Sequence, residues 1–246
     1  MDVSSYVLLS HEQALRRRLD VAANNMANTN TVGFRRERPV FREYVEQAAQ
    51  SPVRDARKTS FVLDFGEVHD TAPGAFQVTG NPLDVMIRGE GYLTVRTPTG
   101  TAYTRAGFIK IGAKGELTTG AGYPLLDERG EPIAIPQGQE TRVTIGEDGT
   151  VMGANGPLGR LGLTAFADER AVTPRGDGVL TGSGGRTLSA AEVKLKAGGV
   201  EGSNVEPIVE TTQLIDILRS YQTSQQMTQS IDDLRHDAIQ RLGKAG

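Results

Sequence analysis

The sequence predicts an α+β fold in which discontinuous N- and C-terminal α-helices flank a central, mostly antiparallel β-domain. Three observations carry that reading. Apolar residues recur at three- and four-residue steps only near the two ends, short apolar alternations fill the middle, and 30 glycines and 11 prolines against 37% hydrophobic residues describe a turn-rich chain. The implied divisions are a first helix in 1–33, a linker or interface segment in 34–71, a β-domain in 72–202 and a last helix in 203–246.

In the first helix Leu8, Leu15 and Ala22 recur every seven residues, and Leu19 and Met26 follow four residues after the second and third of these, a coiled-coil type of seam. The polar run that includes Asn24, Asn25, Asn28, Thr29, Asn30 and Thr31 competes with the helix for backbone hydrogen bonds, so the helix is expected to end between Ala27 and Gly33.

Residues from Arg35 to Asp70 are charged and weakly periodic, with Pro39, Pro52 and a basic stretch from Arg54 to Lys58. They read as a linker or an interface segment.

The middle holds seven short apolar alternations: 83–87, 92–95, 102–104, 108–111, 142–145, 150–152 and 161–166. Turn signals separate them, namely Pro98-Thr99-Gly100, Lys114-Gly115, Arg129-Gly130 and Asp148-Gly149. Strands at this spacing predict an antiparallel β-domain.

The last helix is expected to start near Pro207, which lacks the amide hydrogen that a first turn leaves unused, and to stop at Gly243. Its stripe runs through Leu214, Leu218, Tyr221, Ile231, Leu234, Ala238 and Leu242, with Gln225 and Thr228 giving it a wet centre. Neither terminal stripe is wide enough to stabilise a helix alone in water, so each needs the other or a neighbouring subunit.

Function classes narrow by chemistry. The absence of cysteine removes disulfides, thiolate metal sites and thiol nucleophiles. His11, His69 and His236 are not at metal-ligand spacing. Gly89-Glu90-Gly91 and Gly182-Ser183-Gly184-Gly185 lack the full spacing and the Lys-Ser/Thr pair of phosphate loops, and Glu147-Asp148-Gly149 lacks the alternating calcium ligands, so all three read as turns. Asp64, Glu67, Asp84, Glu90 and Glu116 are carboxylates without a pairing signal, and a carboxylate-dependent hydrolase has no motif behind it. No catalytic residue, cofactor or metal is assigned, and the chain is expected not to be an enzyme.

Arg35, Arg36, Arg38 and Arg42 lie beside Phe34, Phe41 and Tyr44, the pattern to inspect for nucleic acid. Glu37, Glu43 and Glu46 interleave with them and the net charge is −3, which favours a subunit-facing or solvated segment over nucleic-acid binding. The stretch from Met1 to Leu9, interrupted by His11 and Glu12, is too short for a Sec signal core. No stretch approaches the length of a membrane span, so no lipid insertion is expected.

The Asn-rich run from Leu19 to Arg36, closing on Val32-Gly33-Phe34-Arg35-Arg36, resembles the N-terminal signature of the flagellar rod and hook family. Further matches follow in family order: Thr79-Gly80-Asn81-Pro82-Leu83-Asp84-Val85-Met86-Ile87, Gly89-Glu90-Gly91-Tyr92-Leu93, Tyr103-Thr104-Arg105-Ala106-Gly107-Phe108, and Gly202-Ser203-Asn204-Val205 before the last helix. Two departures are Gly199-Val200-Glu201-Gly202, where the family often has Gly-Xaa-Leu-Glu, and the Gln/Thr/Ser-rich centre of the last helix. The short length, the opening Met1-Asp2 with Tyr6-Val7, and Arg18-Leu19-Asp20-Val21 look most like a proximal-rod member, the longer distal-rod member being the alternative.

The resemblance implies a structural subunit whose terminal helices form the inner core of the basal-body rod, the drive shaft that carries torque from motor to hook. It implies export by the flagellar type III apparatus to the periplasm, without a cleaved Sec signal, and partners that are other rod proteins and copies of the chain itself. The expected assembly stripe is Leu8, Leu15, Leu19, Ala22, Met26, Leu214, Leu218, Tyr221, Ile231, Leu234 and Ala238, joined by Asn25, Asn28, Gly33 and Phe34 of the signature.

Overall fold

The computed structural model describes residues 3–46, 59–168 and 171–243. The chain divides into two compact units, a helical unit from Met1–Ala27, Glu37–Val68 and Glu206–Gly246, and a β unit from Asn28–Arg36 and His69–Val205.

The helical unit contains α1 (Val3–Ala27), the strands β1 (Glu37–Glu46) and β2 (Thr59–His69), and α2 (Pro207–Gly243). α1 stops where the asparagine and threonine run begins, and the Thr31 amide donates to the Asn28 carbonyl to start a turn at 3.1 Å. Pro207 and Gly243 bound α2.

The stretch 34–71 carries the two long strands, paired as a two-stranded ribbon. Val40, Phe41, Tyr44 and Val45 on β1, and Phe61, Val62 and Phe65 on β2, are β-favouring residues whose signal the interleaved charges obscure. The basic stretch from Arg54 to Lys58 lies outside the described residues.

The β unit holds short strands. Its chain passes from β3 (Phe76–Val78) and β4 (Val85–Ile87) to the hairpin β5 (Tyr92–Thr97) and β6 (Gly100–Thr104), then β7 (Ile109–Ile111) and β8 (Leu117–Thr119). β9 (Thr144–Ile145), β10 (Thr150–Gly153) and β11 (Gly156–Arg160) form a three-stranded meander. The remainder are β12 (Leu163–Ala165), β13 (Val172–Pro174), β14 (Leu180–Gly182), β15 (Arg186–Thr187), β16 (Leu195–Ala197) and β17 (Gly199–Glu201).

The largest sheet has the order β13-β14-β6-β5-β12-β15, and its described pairings are antiparallel. The pairs β16-β4, β17-β3 and β7-β8 are antiparallel as well. Each of the seven apolar alternations contains a strand, and Pro98-Thr99-Gly100, Lys114-Gly115 and Asp148-Gly149 fall at the hairpins β5-β6, β7-β8 and β9-β10.

Period-two alternation on β5 points Leu93 and Val95 to one side, where they meet Val85, Ile87, Ala102, Leu117, Leu125, Leu161 and Leu163 in a single buried core. Tyr92, on the other side of β5, packs edge-on to Phe166 with ring centres 6.0 Å apart.

Candidate functional site

In the helical unit Leu15 and Ala22 of α1 and Ile217 of α2 are buried together, flanked by the half-buried Leu19, Leu214 and Tyr221. The helices run antiparallel, because Glu12 meets Ser224 and Thr228 while Asn25 meets Glu210. The wet centre of α2 thus has a partner: the Thr228 hydroxyl donates to Glu12 Oε1 at 3.1 Å and the Ser224 hydroxyl to the same oxygen at 3.4 Å.

Asn25 anchors α1 to the ribbon by imitating a peptide group. Its Nδ2 donates to the Glu37 carbonyl at 2.9 Å and its Oδ1 accepts from the Glu37 amide at 2.8 Å, a pair of bonds like one rung of a sheet. Asn24 Nδ2 donates to the Glu37 carboxylate at 2.7 Å. Arg17 pairs with Glu67 of β2 at 2.9 Å.

The residues of the expected stripe divide into two sets. Leu15, Leu19, Ala22, Leu214 and Tyr221 meet in the seam between the chain's own helices. Leu8, Met26 and Ile231 are half-buried, whereas Leu218, Leu234 and Ala238 are exposed on α2. Leu218 turns about 100° from the buried Ile217 and is 44% exposed. Tyr6, Leu9, Ile208, Ile215, Met227 and Ile239 add further exposed apolar surface to the two helices.

Asn28, Gly33 and Phe34 belong to the β unit. There the signature motifs meet at a buried ion pair, Arg105 with Glu201, at 2.9 Å, each side chain 1% exposed. Arg105 Nη1 donates to the Gly91 carbonyl at 2.7 Å, and Nη2 to the carbonyls of Ile87 at 3.2 Å and Gly89 at 3.1 Å. Glu201 also accepts from the Gly74 amide at 3.1 Å and faces Arg35 at 3.9 Å.

Gly33 closes this junction. Its amide donates to the Glu201 carbonyl at 2.7 Å, its φ is +71°, and a Cβ there would stand 2.5 Å from the Arg105 carbonyl carbon. At Gly107 a Cβ would collide with the Val85 carbonyl. Asn204 ties the far end of the β unit to its start, accepting from the Arg36 amide at 2.7 Å and donating to the Ala72 carbonyl at 2.8 Å.

Asp84 of the second motif is fully buried, accepting from Thr79 Oγ1 at 2.7 Å and Asn81 Nδ2 at 2.9 Å. These bonds organise a loop and expose no reactive group. Among the described residues no cluster of three or more metal-ligating side chains occurs, and no helix is long and apolar enough to cross a membrane.

Sequence reasoning missed Ile217, Ser224, Glu37 and Glu201. Ile217 lies three residues after Leu214 and four before Tyr221, so the stripe's own spacing contained it. Glu201 had no local signal, since its partner is 96 residues away.

Comparison with known proteins agrees with this layout. The flagella basal body rod protein model matches residues 6–35, the flagellar hook protein FlgE/F/G D1 domain model matches 86–153, and the flagellar basal body rod FlgEFG protein C-terminal model matches 196–241. The flagellar basal-body rod protein FlgF of Caulobacter vibrioides is 35% identical over 246 residues, covering 99% of each chain. FlgF of Mesorhizobium japonicum is 33% identical, again over 99% of both. FlgG of Bacillus subtilis is 32% identical over 260 residues, covering 96% of this chain and 97% of its own. With relatives matched from end to end, the chain belongs to the flagellar basal-body rod protein family, as a structural subunit most like the members called FlgF.

Proposed function

We propose that the chain polymerises into the proximal rod through the outward faces of its terminal helix pair, with the β unit as a separately folded body. The observation that carries this is the distribution of exposed apolar side chains. Of the thirteen large hydrophobics exposed among the described residues, ten belong to the helical unit, although it is the smaller of the two. Exposed apolar surface concentrated in one region marks a contact surface.

The same helices hide little of their own. A seam centred on Leu15, Ala22 and Ile217 gives each helix limited tertiary support, so burial among neighbouring subunits completes its stability. Contacts between unlike faces of successive copies or relatives do not close on themselves, and they build helical tubes. Helices of this marginal kind suit export in an unfolded state through the flagellar type III apparatus to the periplasm, followed by ordering on assembly beside other rod proteins. The finished rod transmits torque to the hook.

Leu218→Asp tests the assignment. Leu218 is exposed, so the purified variant is expected to keep its fold, with an unfolding free energy within about 0.5 kcal/mol of the parent's. It is expected to be absent from isolated basal bodies and to leave cells non-motile. Normal incorporation of the variant would overturn the proposal.

A further inference from the structure

We propose that the end of α2 of one copy, around Asp233, Leu234 and Asp237, docks in the groove that α1 and the ribbon of a second copy form around Arg16, Phe41 and Val62. This rests on the rod-subunit reading and names one of the contacts through which it works.

The groove, about 280 Å³, lies wholly within the helical unit. Ala14, Phe41 and the exposed Val62 supply its apolar wall, and Arg16 and Arg17 its charge, with Asp20 and Gln13 completing the lining. Arg17 is already paired with Glu67 at 2.9 Å. Arg16 is exposed and makes no ion pair with Asp20 or any other described residue. The groove therefore offers one uncommitted cation beside an apolar wall.

The end of α2 is its complement. Glu12 lies opposite Ser224 and Thr228, and Val3 is nine residues upstream of Glu12. At equal rise per residue, Val3 falls opposite about residue 235, so the last turns of α2 run on past the described start of α1. Leu234 and Ile239 are 69% and 68% exposed there. Asp232 is paired with Arg235 at 3.2 Å, whereas Asp233 and Asp237 stand one turn apart on the ridge beside Leu234. Two like charges one turn apart repel, and an external cation between them relieves the repulsion. An apolar knob flanked by carboxylates thus faces an apolar wall flanked by an arginine.

A chain cannot make this contact with itself. The groove is lined by residues 13–20 of α1, and Leu234 lies opposite the start of that helix, roughly 15 Å or more away along its axis. Both halves are present in one sequence, which favours a second copy as occupant. Because the two patches differ, the contact is heterologous and repeats along a helix.

The chain contains no cysteine, so the introduced thiols are the only ones it carries. Cells producing a Val62→Cys copy together with a Leu234→Cys copy are expected to yield a cross-linked dimer in oxidised basal bodies, and the double variant a ladder. A disulfide requires Cα atoms within about 7 Å, so the yield reads proximity directly. Pairing Leu234→Cys with Val78→Cys, an exposed site in the β unit, is expected to give none.

Copies present in the basal bodies but monomeric would overturn the docking and leave the rod assignment standing. Absence of the unmodified chain from basal bodies would overturn the rod assignment itself. A photo-cross-linking residue at position 234 that captures a different rod protein would refute the second copy as occupant. If the cysteine variants do not incorporate, Arg16→Asp is expected to reduce incorporation at least tenfold and Asp233→Arg with Asp237→Arg to restore it; failure of that rescue also overturns the proposal.

Discussion

The helical unit and the β unit spend their apolar residues in opposite ways. The β unit gathers Val85, Leu93, Val95, Leu117, Leu125, Leu161, Leu163 and their neighbours into one buried core, and among its described residues only Val78, Phe108 and Met152 are large exposed hydrophobics. Among the described residues the helical unit buries three apolar side chains in its seam and exposes ten large hydrophobics. Apolar side chains point inward in one unit and outward in the other. On the proposed reading, a region whose hydrophobic surface points outward is completed by its neighbours in an assembly.

The polar interiors differ in the same sense. Arg105 and Glu201 are enclosed on all sides and have carbonyl, amide and carboxylate partners, so their geometry is fixed within one chain. The wet seam of the helix pair, with Glu12 taking the hydroxyls of Ser224 and Thr228, is only partly enclosed.

The largest expected effect falls on the β unit. Arg105→Ala leaves a buried carboxylate without its charged partner and is expected to destabilise that unit by about 3–5 kcal/mol. Denaturant unfolding followed on β-sheet signal checks this, and a loss below about 1 kcal/mol would show that the junction is not closed.

An intermediate effect separates the units. Ile217→Ala removes the central residue of the helix seam, for which a buried position costs roughly 2–5 kcal/mol. The expected result is loss of helical signal in the monomer with the β-unit transition unchanged. Simultaneous loss of both signals would mean that the two regions fold as one.

The smallest effect is confined to the edge of the β unit. The Arg186 guanidinium, with the hydroxyl and amide of Ser189, holds the Glu192 carboxyl down at about 2 from its usual 4.5. A carboxyl lowered on folding stabilises above its unfolded value, and that contribution fades as pH falls from about 4.5 through about 2. NMR titration of Glu192 is expected to show this low midpoint, and Arg186→Gln to move it up. An unchanged midpoint would assign the shift to Ser189 alone.

Much of this organisation was legible in the chain. The heptad spacing of Leu8, Leu15 and Ala22 and the Pro207 to Gly243 frame located both helices, because helical periodicity and its stop signals are local. The seven alternations found strands for the same reason. The ribbon of β1 and β2 was not legible, since Arg38, Arg42, Glu43 and Glu46 break its apolar alternation and α1 supplies the surface it packs on.

The strands β3, β8, β11 and β13 to β17 fall outside the seven alternations. The helical positions of the expected stripe followed from spacing, but their division between buried and exposed did not. Spacing places Leu218 beside Ile217 without saying which one turns inward, and only the partner helix decides that.

Hydrogen exchange of the purified monomer against assembled rods separates the two units. Strong protection of β5, β6 and β12 is expected in both states, with α1 and α2 exchanging quickly in the monomer and slowly in the rod. Monomer helices protected as strongly as β5, with no further gain on assembly, would contradict this expectation.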